Sequence, residues 1–252
     1  MTASPLPLSI QLYTLRDQIA ADRDGTLTRL AEIGYRQVEA YDPTADPAGF
    51  RKLLDGLGVT VSSTHAYALF DKDAGEVFDA VATVGTDLAI IPGGIAHEEF
   101  TTDEGLGRTA DLLNGFAEKA ASRGVSIGYH NHWWEIEPRF DGRTALEVLA
   151  ERLAPEVFLE VDTYWAQVGG ADVPRLLRTL GDRVRALHVK DGPGVKEQPH
   201  TAVGKGAIDV PAILAAAPHA QRIVELDSCA TDIFEAVAES RSYLVGLEAG
   251  LA

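Results

Sequence analysis

The stretch Ser122-Arg123-Gly124-Val125-Ser126-Ile127-Gly128-Tyr129-His130-Asn131-His132 decides how this chain is read. Ahead of it, Leu106, Leu112, Leu113, Phe116 and Ala120 recur at helical spacing. Gly124 then offers the left-handed conformation that stops a helix. Ser126–His130 follows as a short, largely apolar run that ends in histidine. Helix, glycine, short strand and polar tip together make one unit of an alternating α/β chain.

Working outward, the same junction recurs at Ile33–Gly34–Tyr35, Leu57–Gly58–Val59 and Leu180–Gly181–Asp182. Strand-like runs fall at Ser9–Thr14, Gln37–Ala40, Thr60–His65, Leu88–Ile91, Ser126–His130, Phe158–Asp162, Ala186–Val189 and Arg222–Leu226. Helical spacing fills the intervals, as in Leu27, Leu30 and Ala31, or Leu176, Leu177 and Leu180. Such alternation implies parallel strands joined by right-handed crossovers. Eight units in 252 residues predict a single (β/α)8 TIM barrel over residues 1–252. An open, doubly wound sheet is the alternative, but no GxGxxG follows the first strand.

Composition narrows the function classes. The net charge of −16, with no basic cluster, argues against nucleic acid as a partner. The one cysteine, Cys229, excludes an intrachain disulfide and suits a cytoplasmic, reducing setting. Met1–Ile10 lacks a leader pattern, and no apolar run is long enough to span a membrane. Barrels of this kind often pair into homodimers through their helices, although no interface stripe is visible here.

In such barrels the C-terminal strand ends form the catalytic face. Those ends carry Glu39, His65, His130 with His132, Glu160 with Asp162, His188 with Lys190, and Glu225 with Asp227. Residues two apart on a strand share a face, so each pair should point the same way. A mixed nitrogen and oxygen set of this kind suits Mn²⁺, Co²⁺, Zn²⁺ or Fe²⁺. Asp162 also suits a helix N-cap, and Asp191 a turn before Gly192. The aromatics Trp133, Trp134 and Trp165, with Tyr13, suit either a sugar platform or the barrel rim. The polar, glycine-rich segment Gly192–Ala207 has the length of a lid.

The chain resembles the xylose isomerase-like sugar phosphate isomerase/epimerase superfamily. The resemblance runs from Ser9–Asp17 through Gly34–Tyr35 with Val38–Glu39 and on to Tyr129–His132. It continues in Asp162–Trp165 with Gly169–Gly170, His188–Asp191, Gly204–Asp209 and Glu225–Asp227. It implies a metal site of Glu, Asp, His and Glu drawn from strands five to eight. Asp162 matches the Asp, His188 the His, and Glu225 the last carboxylate, with Asp227 as a further candidate. The chain departs at strand five, where His130 stands in place of Glu.

The resemblance implies a divalent-metal-dependent sugar isomerase or epimerase that enolises its substrate next to a carbonyl. Glu225, His132 and Glu39 are the candidate bases, and Lys190 the candidate oxyanion partner. Tyr13, His65, Trp133 and Trp165 are the candidate substrate contacts. Two other readings stand beside it. One is a lyase or dehydratase of keto-sugars, such as inososes or 3-keto-glycosides. The other is a metal-free, non-catalytic barrel that binds a sugar or a partner.

Overall fold

Burial on both faces explains why short, apolar runs became the strands of this computed structural model, which describes residues 7–250. The Met1–Leu6 part of the leader reading lies outside those residues. The barrel strands are β1 (Ser9–Ile10), β2 (Gln37–Ala40), β3 (Thr60–His65), β4 (Leu88–Ile91), β5 (Ser126–His130), β6 (Phe158–Asp162), β7 (Val184–Val189) and β8 (Gln221–Val224). All pair in parallel, in the order β1-β8-β7-β6-β5-β4-β3-β2. An isolated parallel bridge between Gln11 and Glu39 brings β1 back to β2 and closes the ring.

Helices cover the outside. They are α1 (Arg23–Ile33), α2 (Pro47–Leu57), α3 (Ala74–Val84), α4 (Asp103–Ala121), α5 (Ala145–Arg152), α6 (Val173–Leu180), α7 (Val210–Ala216) and α8 (Ile233–Gly250). Side-chain caps start them: Asp46 for α2, Asp73 for α3 and Thr102 for α4. A reciprocal Thr144–Glu147 capping box starts α5. Gly34 and Gly58 end α1 and α2 in left-handed conformation, as their sequence junctions predict.

Three strand boundaries differ from expectation. β1 stops at Ile10, because the Gln11 side chain accepts from Tyr13 N–H and turns Leu12–Leu15 into a 3₁₀ helix. β7 begins at Val184, earlier than expected. β8 ends at Val224, which leaves Glu225–Asp227 just beyond the strand at the barrel mouth.

Alternation then separates core from site. Leu159, Val161, Leu187 and Val189 join the apolar core. Their neighbours Glu160, Asp162, His188 and Lys190 are equally buried but meet one another instead. The segment 192–207 is not a free lid. The Asp191 carboxylate accepts N–H bonds from Gly192, Gly204, Gly206 and Ile208 at 2.8–3.1 Å, which pins the loop back on itself. A Cβ on Gly206 would sit 2.1 Å from Asp191 Oδ1, so the close approach requires glycine.

Candidate metal centre and cavity

The strand ends place two layers of polar groups in the barrel. The deeper layer is built on Glu39 and Glu160, both fully buried. Gln11 Nε2 donates to Glu39 Oε1 at 2.7 Å, and Ser63 Oγ donates to Glu39 Oε2 at 2.5 Å. His188 Nε2 lies 2.7 Å from Glu39 Oε1. Three imidazoles converge on Glu160 Oε2: His65 Nε2 at 2.9 Å, His130 Nδ1 at 3.1 Å and His188 Nε2 at 3.2 Å.

The outer layer uses the other nitrogens of two of those rings. His130 Nε2 lies 3.8 Å from Asp162 Oδ2, and His188 Nδ1 lies 2.6 Å from Glu225 Oε2. Lys190 Nζ lies 2.8 Å from Asp162 Oδ2, 2.7 Å from Glu225 Oε2 and 2.8 Å from Asp227 Oδ1. Asp162 has two tasks, since its Oδ1 accepts the Trp165 N–H at 2.8 Å and caps the following helical turn. Asn131 ties the tips of β5 and β6 together by accepting the Asp162 N–H at 3.1 Å.

Electrostatics follow from this crowding. For Lys190, burial opposes the charge, but Asp162, Asp227 and Glu225 hold its pKa well above the usual range. His188 behaves alike: burial is outweighed by Glu160, Glu225 and Glu39, which raise it strongly. Burial, with His188 next, pushes His130 well down. Burial and the charge of Glu160 raise Glu39. Against a burial cost, His188 together with hydrogen bonds from the histidines holds Glu160 well down.

Two groups of four donors each lie within 4.8 Å of one another: His65, His130, Glu160 and His188, and His130, Asp162, His188 and Glu225. The second faces the mouth and fits a divalent cation. Asp162 Oδ2 and His188 Nδ1 are buried, yet neither has an aligned hydrogen bond. Two imidazole nitrogens with two carboxylate oxygens suit Zn²⁺, Mn²⁺, Co²⁺ or Fe²⁺. If that group held the ion, the inward nitrogens of His130 and His188 would meet Glu160 and Glu39, which is how carboxylates orient metal-binding imidazoles.

Above this floor opens a cavity of about 520 Å³, lined by His65, His130, His132, Lys190, Glu225 and Asp227 and walled by tyrosines and tryptophans. Tyr13, Trp133 and Trp165 belong to those walls. Trp134 stacks between His97 and His132, with ring centroids 3.8 and 4.0 Å away. Trp165 Nε1 donates to Asp227 Oδ2 at 2.9 Å. No residue of 192–207 lines this cavity.

The candidates from sequence therefore gather in one place, with two differences. Glu39 is sealed beneath the floor by Gln11, Ser63 and His188 and does not line the cavity. Asp227 stands outside both four-donor groups and is engaged by Lys190 and Trp165 instead. The site also gives a role to Glu160, which the sequence placed at a strand end without a task, and recruits Glu135 and His200, which it did not single out. Glu160 is the meeting point of three histidines, and its place two residues before Asp162 was the available signal. Glu135 accepts from Tyr129 Oη at 2.6 Å and from the His132 N–H at 2.8 Å, which fixes the β5 tip. His200 Nδ1 accepts the Asp227 N–H at 3.1 Å. Neither Glu135 nor His200 sits in a repeating pattern.

Comparison with known proteins agrees with this architecture. Residues 27–224 match the family model described as xylose isomerase-like TIM barrel. No curated protein gives a sequence match. A sugar phosphate isomerase/epimerase from Parabacteroides distasonis superposes with a TM-score of 0.80 at 23% identity, covering 96% of this chain and 94% of that one. A structure of L-ribulose 3-epimerase gives 0.70 at 17% identity, with 96% and 93% covered. The IolI protein with a bound zinc atom gives 0.72 at 16% identity, with 97% and 99% covered. At these identities the three likenesses speak for the fold alone.

Proposed function

The chain belongs to the xylose isomerase-like TIM-barrel family, and from that premise we propose that it is a divalent-metal-dependent sugar isomerase or epimerase. One observation carries the reading: His130, Asp162, His188 and Glu225 bring four donors together beneath an aromatic-walled cavity. A divalent cation held there would polarise a sugar carbonyl and acidify the adjacent carbon. The protein's own part is to hold the sugar and move the proton. His132 lines the cavity, with its Nδ1 turned inward, 4.0 Å from Glu135 Oε1. It is the base or acid for the carbon-bound proton. Lys190 meets the developing oxyanion. The tryptophan and tyrosine walls pack on the C–H faces of the ring.

The substrate is a free or modified sugar rather than a sugar phosphate. Among the described residues, Lys190 is the one cationic side chain of Lys or Arg type lining the cavity, and three carboxylates already surround it. A phosphate placed there would meet Glu225 and Asp227 without a cation of its own.

A lyase reading shares the first step. It differs in the fate of the enediolate, with His132 protonating a departing hydroxyl or alkoxide. Incubation with Mn²⁺ in D₂O separates the readings, using ketoses, inososes and 3-keto-glycosides as substrates. Deuterium entering next to the carbonyl with the carbon skeleton and hydroxyls retained is the expected result. Release of water or aglycone assigns the lyase. Absence of exchange across all three classes counts against enolisation.

A further inference from the structure

Two of the four outer donors already have a cation. Lys190 Nζ is 2.8 Å from Asp162 Oδ2 and 2.7 Å from Glu225 Oε2. Asp162 and Glu225 are also the two carboxylates of the outer four-donor group. The ammonium therefore sits on the oxygens that a divalent ion would need.

The contacts of Lys190 are not equivalent. The Asp162 oxygen makes no aligned hydrogen bond. Asp227, in contrast, receives an aligned pair of bonds from Nζ, at 2.8 Å to Oδ1 and 2.9 Å to Oδ2. Asp227 is itself held in place. Trp165 Nε1 donates to its carboxylate at 2.9 Å, and its N–H donates to His200 at 3.1 Å. It belongs to neither donor group.

We propose that Lys190 is the resident counter-ion of the metal-free site and that Asp227 is its alternative seat. The proposal rests on the metal-dependent reading above. Asp162 and Glu225 are buried, and beside Lys190 Glu225 has only the shared ring of His188 among the described residues. Buried carboxylates short of cationic charge are strongly destabilising. Lys190 supplies that charge in the absence of metal. A divalent ion arriving on the same oxygens repels the ammonium at contact range. The flexible lysine stem lets Nζ give up Asp162 and Glu225 while it keeps Asp227. Metal loading thus exchanges one counter-ion for another and leaves the ammonium at the cavity wall, facing substrate oxygens. Asp227 acts through Lys190 as a positioning residue and not as a ligand.

The sign of the effect is unusual, which makes the test sharp. Chelator-treated wild-type, K190M and D227N proteins are titrated with Mn²⁺, and free Mn²⁺ is followed by electron paramagnetic resonance. K190M is expected to bind Mn²⁺ at least about tenfold more tightly than wild type, since a competing cation has been removed. Without metal its thermal midpoint falls below that of wild type, and Mn²⁺ raises it by more. D227N is expected to weaken Mn²⁺ binding several-fold, because Lys190 then remains on Asp162 and Glu225. In the K190M background D227N changes nothing.

Equal or weaker Mn²⁺ binding by K190M overturns this proposal alone, provided wild type binds and H188A does not. A further loss from D227N in the K190M background makes Asp227 a ligand and also overturns it. Should K190M fail to fold, unchanged binding by D227N overturns it by itself. Wild-type protein that takes up no Mn²⁺ overturns the metal-dependent reading, and this proposal with it.

Discussion

Glu160 and Glu225 are both buried carboxylates inside one barrel, and both touch His188, yet the rest of their company differs in kind. Among the described residues, Glu160 is met by ring nitrogens of three histidines and by no lysine or arginine. Glu225 is met by His188 on one side and by the Lys190 ammonium on the other. The inner layer thus satisfies its acids with fixed, directional rings. The outer layer uses an ammonium on a flexible stem, which under the proposal above another cation replaces. Rigid partners below and an exchangeable partner above are what a cofactor seat needs, because the ligands must be held still while their counter-ion changes. His188 is the hinge of the comparison, since Nε2 serves the inner layer and Nδ1 the outer.

Removing His188 should break both layers together and gives the largest effect. His188→Ala leaves Glu39 and Glu225 short of a buried partner. A loss of about 3–5 kcal/mol in unfolding free energy is expected, with Mn²⁺ binding weakened beyond about a hundredfold. Urea unfolding and equilibrium dialysis read the two quantities. Retention of metal binding in this variant would show that the layers do not share the ring.

A second histidine sharpens the contrast by behaving in the opposite way. Against the cost of burial, three carboxylates raise His188 well above the usual imidazole range. Burial, with the charge of Lys190 next, pushes His200 down to about 4. Its folded value is below the unfolded 6.5, so the stability it contributes is complete above pH 6.5 and is lost as pH falls through 4. The whole loss amounts to about 3 kcal/mol. His200→Gln cannot titrate, so its unfolding free energy should fall less steeply than that of wild type between pH 6.5 and 4. Parallel curves for the two proteins would place the acid sensitivity elsewhere.

The barrel was legible because its signal is periodic and local. Gly34, Gly58 and Gly124 mark junctions, and apolar runs mark strands. The strand tips were legible for the same reason, and the pairs Glu160 with Asp162 and His188 with Lys190 do share the inward face. Depth was not legible. Alternation says which side Glu39 faces, but only ring closure through Gln11 carries it beneath His188, 149 residues away in sequence. The status of Asp227 was hidden as well, because what engages it comes from Lys190, just beyond β7, and from Trp165. The loop 192–207 read as a lid from its length and glycines, whereas the buried Asp191 carboxylate holds its two ends and further bonds from His200 and Val203 tie it down.

The inner layer can also be tested without emptying it. Glu160→Gln keeps the shape of the side chain and removes its charge. The amide has one acceptor oxygen and cannot satisfy three imidazoles as a carboxylate does. His130 and His188 should then hold their outward nitrogens less firmly, and metal affinity should fall by about 10–100-fold. Substituting Co²⁺ and recording its visible spectrum adds a readout of ligand geometry that does not depend on turnover. Glu39→Gln should cost less, because Glu39 lies 2.7 Å from His188, whereas Glu160 meets both His130 and His188. The order of the two variants therefore matters more than either number. If Glu39→Gln weakens the metal as much as Glu160→Gln, lost charge explains both. If Glu160→Gln is clearly worse, the control lies in the geometry of the two rings it orients.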